Sequence, residues 1–354
     1  MKISFAIFLL FIVISPVKAQ YFPIKKLHTK SWDGTDYTFP ELTVKSEAAI
    51  KINTFLQGAE LNVLFGKLKK TAFEKILPAK GSNTGVTILE GSVIKNTASV
   101  FSVHVNTEYT SASLNQYTTV YNFDALTGDL LRFSDLFSSS GFAAIKQLIN
   151  ADRKKRLSNY LKTLNTKDEE GALAYKVYKD CLTAMPDDDL NKDQLTFNQN
   201  GLQLEKQSCF PDHYGQSLSD HADIYISKLT AAQLVPYLSA YGKLIVAGKS
   251  TKGAVLAVKG IKKGVYKGQI NDKYPVTFLI TYQSGNDIRG CYFYDLAGQQ
   301  IDFSGSIKNG NTIELKTSIQ DNDPAEKFNL TAASDGSLSG TWSKGVKTYK
   351  IQLR

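Results

Sequence analysis

Hydrophobic residues between Lys45 and Leu77 recur at helical spacing, and Ser46 followed by an acidic residue is a signal for a helix N-terminus. Gly58 is expected to bend or interrupt this helix because glycine destabilises a helix interior. Farther along, apolar and polar positions alternate and β-branched and aromatic residues dominate, which indicates strands. The predicted strands are Val86–Leu89, Ser99–Val105, Thr118–Phe123 and Leu130–Phe133.

Helical periodicity returns between Gly141 and Asp180, within a strongly charged segment. Asn198–Gly201 separates two short apolar runs and predicts a β-hairpin, since its glycine adopts a positive φ at little cost. A strand at Ile224–Ile226 and a closing helix over Leu229–Tyr241 complete the pattern. This order predicts an α+β domain over residues 39–246, with helices packed on an antiparallel sheet.

A small polar linker follows at residues 247–261, and the pattern then changes completely. From Lys262 onward the chain has about eight short strands, separated by tight turns rich in glycine and asparagine. Such a meander closes most economically as a small all-β barrel, which we predict for residues 262–354. The predicted strands are Gly264–Ile270, Pro275–Tyr282, Ile288–Leu296, Gln300–Ile307, Thr312–Ser318, Lys327–Thr331, Ser337–Trp342 and Val346–Leu353.

Residues 1–19 have the organisation of a cleavable signal peptide. Lys2 precedes an apolar run from Phe5 to Ile14, and small residues stand at −3 and −1 of a cleavage site after Ala19. The run is shorter than the about 20 apolar residues of a spanning helix, and an uncleaved signal anchor is the alternative. We expect a periplasmic or secreted protein with no transmembrane segment in the mature chain, which begins with a short arm at residues 20–38.

Composition and charge limit the partners. Aromatic residues make up 11% of the chain, which argues against disorder. The formal net charge is +9, and the signal peptide accounts for two of the lysines. The positive excess favours acidic partners or an anionic envelope surface. Because the sequence has neither a basic helix nor a nucleic-acid-binding motif, we expect no nucleic-acid partner. The oligomeric state does not follow from the sequence.

Three cysteines remain in the exported chain, where disulfides are permitted. Cys181 and Cys209 would close a loop of moderate length within the α+β domain, and we predict that they are bridged. Cys291 is then expected to be a small buried hydrophobic residue with a free thiol.

Motifs of catalysis and metal binding are absent or incomplete, so we predict no catalytic residue, metal site or cofactor. There is no Gly-x-Ser-x-Gly elbow for a nucleophilic serine. His213 and His221 lie among Asp212, Asp220 and Asp223, but their separation differs from that of recognisable zinc motifs. A polar loop whose side chains cap turns is therefore favoured there over a metal site.

A second acidic segment resembles the start of a calcium-binding loop and comprises Asp187, Asp188, Asp189, Asn191 and Asp193. An EF-hand needs glycine at its sixth position and glutamate at its twelfth, where this chain has Lys192 and Asn198. A solvated acidic turn is the favoured interpretation.

Aromatic residues of the predicted barrel are the candidate ligand-binding residues: Tyr266, Tyr292, Tyr294 and Trp342. In a strand Tyr292 and Tyr294 share one face, while Cys291 and Phe293 share the other. A small barrel either encloses a ligand or is filled by its own side chains, and with about eight strands the filled interior is favoured.

Structural residues spread over residues 39–246 carry a family resemblance. They are Phe39–Leu42 with Ile52, Asn53, Phe55 and Leu56; Tyr121–Asp124 with Thr127, Gly128 and Leu130; Asp135–Phe137; Phe197 with Gly201 and Leu202; and Ile224, Ile226, Leu229, Tyr237 and Leu238. This set resembles the secreted domain of unknown function that is found in a lysozyme-sensing anti-sigma factor and attached to a peptidoglycan N-acetylglucosamine deacetylase. The barrel is similar to small lipocalin- or avidin-like barrels, on Gly264-x-Tyr266-x-Gly268, Gly290-x-Tyr292-x-Tyr294 and Gly340-x-Trp342.

The resemblance implies an envelope binding module whose ligand is a lysozyme-like protein or a cell-wall glycan. The deacetylase's metal-binding motif and the sensor's sigma-binding segment have no counterpart in this sequence, so neither activity carries over. We therefore predict a non-enzymatic binding protein of the bacterial envelope. An envelope glycan or peptide hydrolase is the alternative, because two carboxylates suffice for glycoside hydrolysis and cannot be located by sequence. A structural or assembly role is not separated from binding at this level.

Overall fold

A computed structural model describes residues 21–67, 71–82, 84–111, 114–185, 189–198, 200–206, 209, 222–248, 261–318 and 324–354. The predicted signal peptide and most of the predicted linker lie outside these residues. Within them the chain forms an α+β region followed by a closed antiparallel barrel of eight strands, which confirms the predicted fold class.

The first region is built on a five-stranded sheet in the order β1-β2-β3-β4-β5. Its strands are β1 (Ile24–Lys30), β2 (Asp36–Leu42), β3 (Gly85–Asn96), β4 (Val100–Thr110) and β5 (Leu114–Asp124). Neighbouring strands are antiparallel except β2 and β3, which pair in parallel because a helix, α1 (Glu47–Glu60), connects them. The segment predicted as an arm forms β1 and the start of β2, and β1 is one edge strand of the sheet.

Helix α1 begins where the sequence predicted, since the Ser46 hydroxyl accepts a hydrogen bond from the Ala49 amide at 3.2 Å. The helix passes through Gly58 without interruption and ends at Glu60. Its apolar side packs on one face of the sheet, where Phe55 meets Phe123 edge-on at 5.9 Å between ring centroids. A Cβ at residue 58 would overlap the side chain of Leu279, so glycine is needed here for close approach to the barrel.

The remainder of the α+β region packs against the opposite face of the sheet. It contains α2 (Ser139–Leu161), α3 (Glu169–Ala184), the three-stranded sheet β6 (Gln194–Phe197), β7 (Gly201–Glu205) and β8 (Ile226–Thr230), and helices α4 (Ala231–Leu234) and α5 (Ala240–Ala247). The side chain of Asn122 lies on the face of β5 opposite to Phe123. Its side-chain amide donates to the Leu195 carbonyl at 2.6 Å. Cys181 and Cys209 form the predicted disulfide, with 5.7 Å between their Cα atoms.

Several elements differ from the predicted pattern. The helical spacing predicted as far as Leu77 gives a helix that ends at Glu60. The strand predicted at Ile224–Ile226 begins only at Ile226 and runs to Thr230, after a 3₁₀ turn over Ala222–Ile224. Only Leu130 of the strand predicted at Leu130–Phe133 makes a bridge, to Phe123, and a 3₁₀ turn over Phe133–Leu136 follows it. The helix predicted over Leu229–Tyr241 is divided into α4 and α5. Pro236 has no amide hydrogen with which to continue the helical hydrogen bonds, and Ser239 then caps a new helix.

The barrel comprises β9 (Gly264–Ile270), β10 (Tyr274–Ser284), β11 (Asp287–Tyr294), β12 (Gln300–Lys308), β13 (Thr312–Thr317), β14 (Lys327–Ala332), β15 (Leu338–Lys344) and β16 (Lys347–Leu353). All neighbours are antiparallel, and β16 pairs with β9 to close the barrel. Every one of the eight strands lies where the alternation placed it. Among the described residues, no helix is long and apolar enough to cross a membrane.

The barrel is joined to the α+β region through one side of its outer surface. Leu279, Cys291 and Phe293 point outward from β10 and β11 and belong to the same buried core as Phe55 and Phe123. Burial raises the pKa of the Cys291 thiol to about 12, so the thiol is uncharged at neutral pH. The two regions therefore share a continuous apolar seam.

Candidate functional site

Three of the four aromatic residues predicted to bind a ligand converge on one buried carboxylate, Glu326. Trp342 Nε1 and the Tyr294 hydroxyl donate to Glu326 Oε2 at 2.6 and 3.1 Å, and the Tyr292 hydroxyl donates to the same oxygen. Lys344 Nζ lies 3.4 Å from Oε1. We call Glu326, Tyr292, Tyr294, Trp342 and Lys344 the mouth cluster.

Strand alternation explains this convergence. Tyr292 and Tyr294 point into the barrel from the end of β11, and Trp342 and Lys344 do so from the end of β15. Glu326 immediately precedes β14, which begins at that same end, and its amide donates to the Thr317 hydroxyl at 2.9 Å. Glu326 was not among the predicted site residues, because a charged residue next to a polar turn normally points to solvent.

The barrel interior is filled by its own side chains around the mouth cluster. Tyr292 is fully buried and stacks on Phe278 at 4.9 Å, and Phe328 packs edge-on against both rings. Burial, then the hydrogen bond to Glu326, raises the pKa of Tyr292 far above its ordinary value, so it donates and does not ionise. The filled interior agrees with the favoured alternative, while the ligand-binding role of these residues stays a prediction.

Tyr266, the fourth predicted residue, lies apart from the mouth cluster. Its hydroxyl donates to the Lys262 carbonyl at 2.9 Å and accepts from the Lys262 amide at 3.2 Å. Since Lys262 precedes β9 and the mouth cluster lies where β9 ends, the two groups occupy opposite ends of the barrel. Tyr266 thus fixes the chain segment that enters the barrel, and Ile261 in that segment is buried in the barrel core.

A groove of about 810 Å³ lies at the seam between the α+β region and this second end of the barrel. Its floor is the edge of β5 at residues 118–122, and its walls come from both regions. Its lining includes Arg132, Asp189, Asp193, Glu205, Lys263 and Tyr282. We call this feature the seam groove, and its volume is within the range of ligand sites in proteins, about 300–1,000 Å³.

Some charges around the seam groove are paired, whereas Lys263 and Glu205 have no ion pair among the described residues. Arg132 bonds to Asp135 at 2.9 Å, and the fully buried Arg153 reaches Asp193 at 2.7 Å. Lys263 has no ion pair among the described residues, and burial lowers its pKa without any neighbouring charge opposing that effect. A carboxylate entering the groove would supply the missing partner.

Tyr282 supplies an exposed aromatic ring on the barrel wall. The pairing of β10 with β11 shifts between Ile280 and Tyr282, and such a bulge re-aims the side chain that follows it. Tyr282 is 41% exposed, and the Arg289 guanidinium lies over its ring, 5.2 Å from the ring centroid. Sequence analysis did not select Tyr282, because its orientation depends on the bulge.

The acidic segments that sequence analysis considered for metals are placed only in part. Asp189 Oδ1 accepts from the Asn191 amide at 3.0 Å, so it caps its own turn, while Asp193 pairs with Arg153. Asp187, Asp188, His213 and His221 lie outside the described residues, as do Asp212 and Asp220. Within the part that the structure describes, no group of three or more His, Cys, Asp or Glu side chains could hold a metal ion.

Comparisons with known proteins give structural neighbours without an assigned activity. No protein-family model and no curated protein matches the chain significantly. A DUF3298 family member from Bacteroides fragilis is 10% identical with a TM-score of 0.40, over 64% of this chain and 96% of that one. A DUF3298 family protein from Pseudomonas aeruginosa is 12% identical with a TM-score of 0.37, over 62% and 94%. Neither is described as an anti-sigma factor or a deacetylase, so that part of the resemblance stays a prediction. The structural neighbours of this chain are bacterial DUF3298 proteins of unknown function.

Proposed function

We propose that this chain is a non-enzymatic binding protein of the bacterial envelope and that it holds its ligand in the seam groove. The ligand is an envelope protein or a cell-wall glycan, and export depends on the predicted signal peptide. The observation that supports the proposal is the groove itself: an exposed aromatic ring, a lysine without an ion pair among the described residues, and an open strand edge line one concave surface.

The barrel mouth is less suited to a ligand than the seam groove. Glu326 Oε2 already accepts three hydrogen bonds, and Tyr292 and Trp342 are 0% and 6% exposed. A ligand would have to displace these contacts, whereas the seam groove is open before binding. Binding sites that need little rearrangement avoid that cost.

Hydrolysis has weaker support in the seam groove. Two carboxyl groups about 5–10 Å apart, on either side of the scissile bond, are needed for glycoside hydrolysis. Asp193 is neutralised by Arg153 and Asp189 holds a turn, which leaves Glu205 as the lining carboxylate without a side-chain partner. A single free carboxylate does not provide both an acid and a base.

The test is capture of ligand by the immobilised mature chain from envelope extract separated into protein, glycan and lipid pools. Tyr282→Ala removes the exposed ring of the groove, and Tyr274→Ala is its matched control at the mouth end of the same strand. Both rings are 41% exposed, and Lys273 lies 5.5 Å from the Tyr274 centroid much as Arg289 lies over Tyr282. An aromatic anchor contributes about 2 kcal/mol or more, so Tyr282→Ala should lower the affinity for the ligand roughly thirtyfold or more.

Equal retention by the two variants would contradict the groove as the site, and a blank across all pools would contradict binding altogether. Release of soluble fragments from a retained glycan, abolished by Glu205→Gln, would instead establish the hydrolase.

A further inference from the structure

The floor of the seam groove is a strand edge with free hydrogen-bonding groups. On the side of β5 away from β4, the Leu131 amide donates to the Asn122 carbonyl at 2.9 Å. Alternate residues of a strand direct their backbone groups to the same side, so those of Thr118 and Val120 face the groove as well. No hydrogen bond between described residues reaches the backbone of Thr118 or Val120 from that side.

Side-chain contacts support this orientation of β5. Thr118 bonds to Asn106 at 2.6 Å and Asn122 to Ser102 at 2.7 Å, in directly opposed pairs of β4 and β5. Side chains approach closely in pairs whose backbones do not bond to each other, which are the pairs with backbone groups free to bond outward. Open edges of this kind accept an additional strand.

The walls of the groove limit what can approach this edge. The start of β6 lies on one face of the sheet, where the side-chain amide of Asn122 donates to the Leu195 carbonyl. The barrel rises on the other face, where Leu279 and Phe293 join the core of the sheet. An extended chain fits between two such walls, and five residues of floor correspond to about 17 Å of strand.

We propose, on the basis of the proposed function, that the seam groove takes an extended acidic peptide segment of a partner protein, which adds as a strand to the edge of β5 and places a carboxylate against Lys263. Backbone pairing with Thr118 and Val120 supplies affinity that is independent of sequence. The unpaired Lys263 supplies the preference for acidic side chains, and Tyr282 offers an apolar surface to a neighbouring side chain.

The test begins with selection of random displayed dodecapeptides on the full mature chain, and the most enriched peptide is synthesised as the probe. We expect enriched peptides to carry net negative charge. We expect the amides of Thr118 and Val120 to exchange rapidly in the free chain, and adding the probe should slow this exchange. Lys263→Gln should weaken probe binding about tenfold, as expected for loss of a partly desolvated charge pair, and Lys263→Arg should restore most of it.

Proline at position 120 removes the edge amide, so Val120→Pro should weaken probe binding at least about tenfold. Lys26→Pro is the matched control, because Lys26 opposes Pro40 on β1, the other edge of the same sheet, and its amide faces away from β2. It should leave binding and melting temperature near those of the parent chain. Melting of Val120→Pro close to that of Lys26→Pro shows that its loss of binding is not a loss of folding.

Several results would overturn the inference. These are no enriched peptide, enrichment of basic peptides, equal binding of the probe by both proline variants, or dimerisation of the mature chain through β5, which would make a second copy the occupant. If Tyr282→Ala still abolishes capture of the envelope ligand in these cases, the proposed function stands and only strand addition fails. If Tyr282→Ala has no effect either, both fail.

Discussion

Removal of the buried carboxylate of the mouth cluster should destabilise the barrel strongly. Glu326→Ala leaves the Tyr292, Tyr294 and Trp342 donors without their acceptor in a site where Tyr292 and Trp342 are almost inaccessible to water. Breaking a buried charged network costs about 3–5 kcal/mol, and the half-exposed Lys344 adds little to that. Urea unfolding of the mature chain measures the loss through tryptophan fluorescence, because Trp342 is buried and Trp32 is about half exposed.

Two milder variants test the reasoning behind this magnitude. Glu326→Gln keeps an acceptor oxygen but loses the charge, and should cost about 1–2 kcal/mol. Tyr294→Phe removes one donor at 3.1 Å and should cost about 1 kcal/mol. A loss below about 1 kcal/mol for Glu326→Ala, or an equal loss for Glu326→Gln, would show that the carboxylate does not organise the barrel interior.

Three further predictions concern the core and the seam. Thiol labelling should find no reactive cysteine in the native chain, one after denaturation and three after denaturation with reduction. Cys181 and Cys209 are bridged, and burial raises the pKa of the Cys291 thiol to about 12. Three reactive cysteines before reduction would disprove the bridge. Burial raises the pKa of Glu60 above its ordinary 4.5, against the opposing hydrogen bond from Tyr121. The folded state therefore binds this proton more tightly than the unfolded state does. The stability of the folded chain should fall as the pH rises through the raised pKa. Glu60→Gln should lack that part of the fall in a series of thermal melts, and a slope identical to that of the parent chain would contradict the assignment. A fragment of residues 258–354 should be soluble and melt cooperatively, because the barrel closes on itself. It should also bind a hydrophobic dye, because Leu279 and Phe293 lose their cover from the α+β region. Aggregation of the fragment, while the mature chain stays monomeric, would show that the barrel needs the α+β region.

Local patterns were sufficient for the barrel because each strand is set by alternation and each turn by its own residues. The seam depends on tertiary contacts, and its one trace in the sequence is the run Val276–Ile280, which is apolar at nearly every position. Such a run indicates burial on both faces of a strand, and the structure buries Phe278 inside the barrel and Leu279 outside it. Strand β1 was not predicted, because it lies at an exposed edge of the sheet and its residues are mostly polar.

The candidate site was less accessible to sequence analysis than the fold. The alternation correctly placed Tyr292 and Tyr294 on one face and Cys291 and Phe293 on the other. It gave no information on Glu326 or Tyr282, because the environment of the first depends on three distant strands and the direction of the second on a bulge. The open edge of β5 is likewise invisible until the order of strands in the sheet is known.

Site-specific photocrosslinking in intact cells, with a photoreactive amino acid at position 282 or at position 274 of the exported chain, tests directly whether the ligand lies in the seam groove. The two positions are equally exposed and lie at opposite ends of the barrel, one in the seam groove and one at the mouth. We expect an envelope protein to be crosslinked from position 282 and not from position 274, and we expect this crosslink to be lost when Val120→Pro is added. A ligand captured from position 274 alone would place binding at the barrel mouth and rule out the seam groove as the binding site.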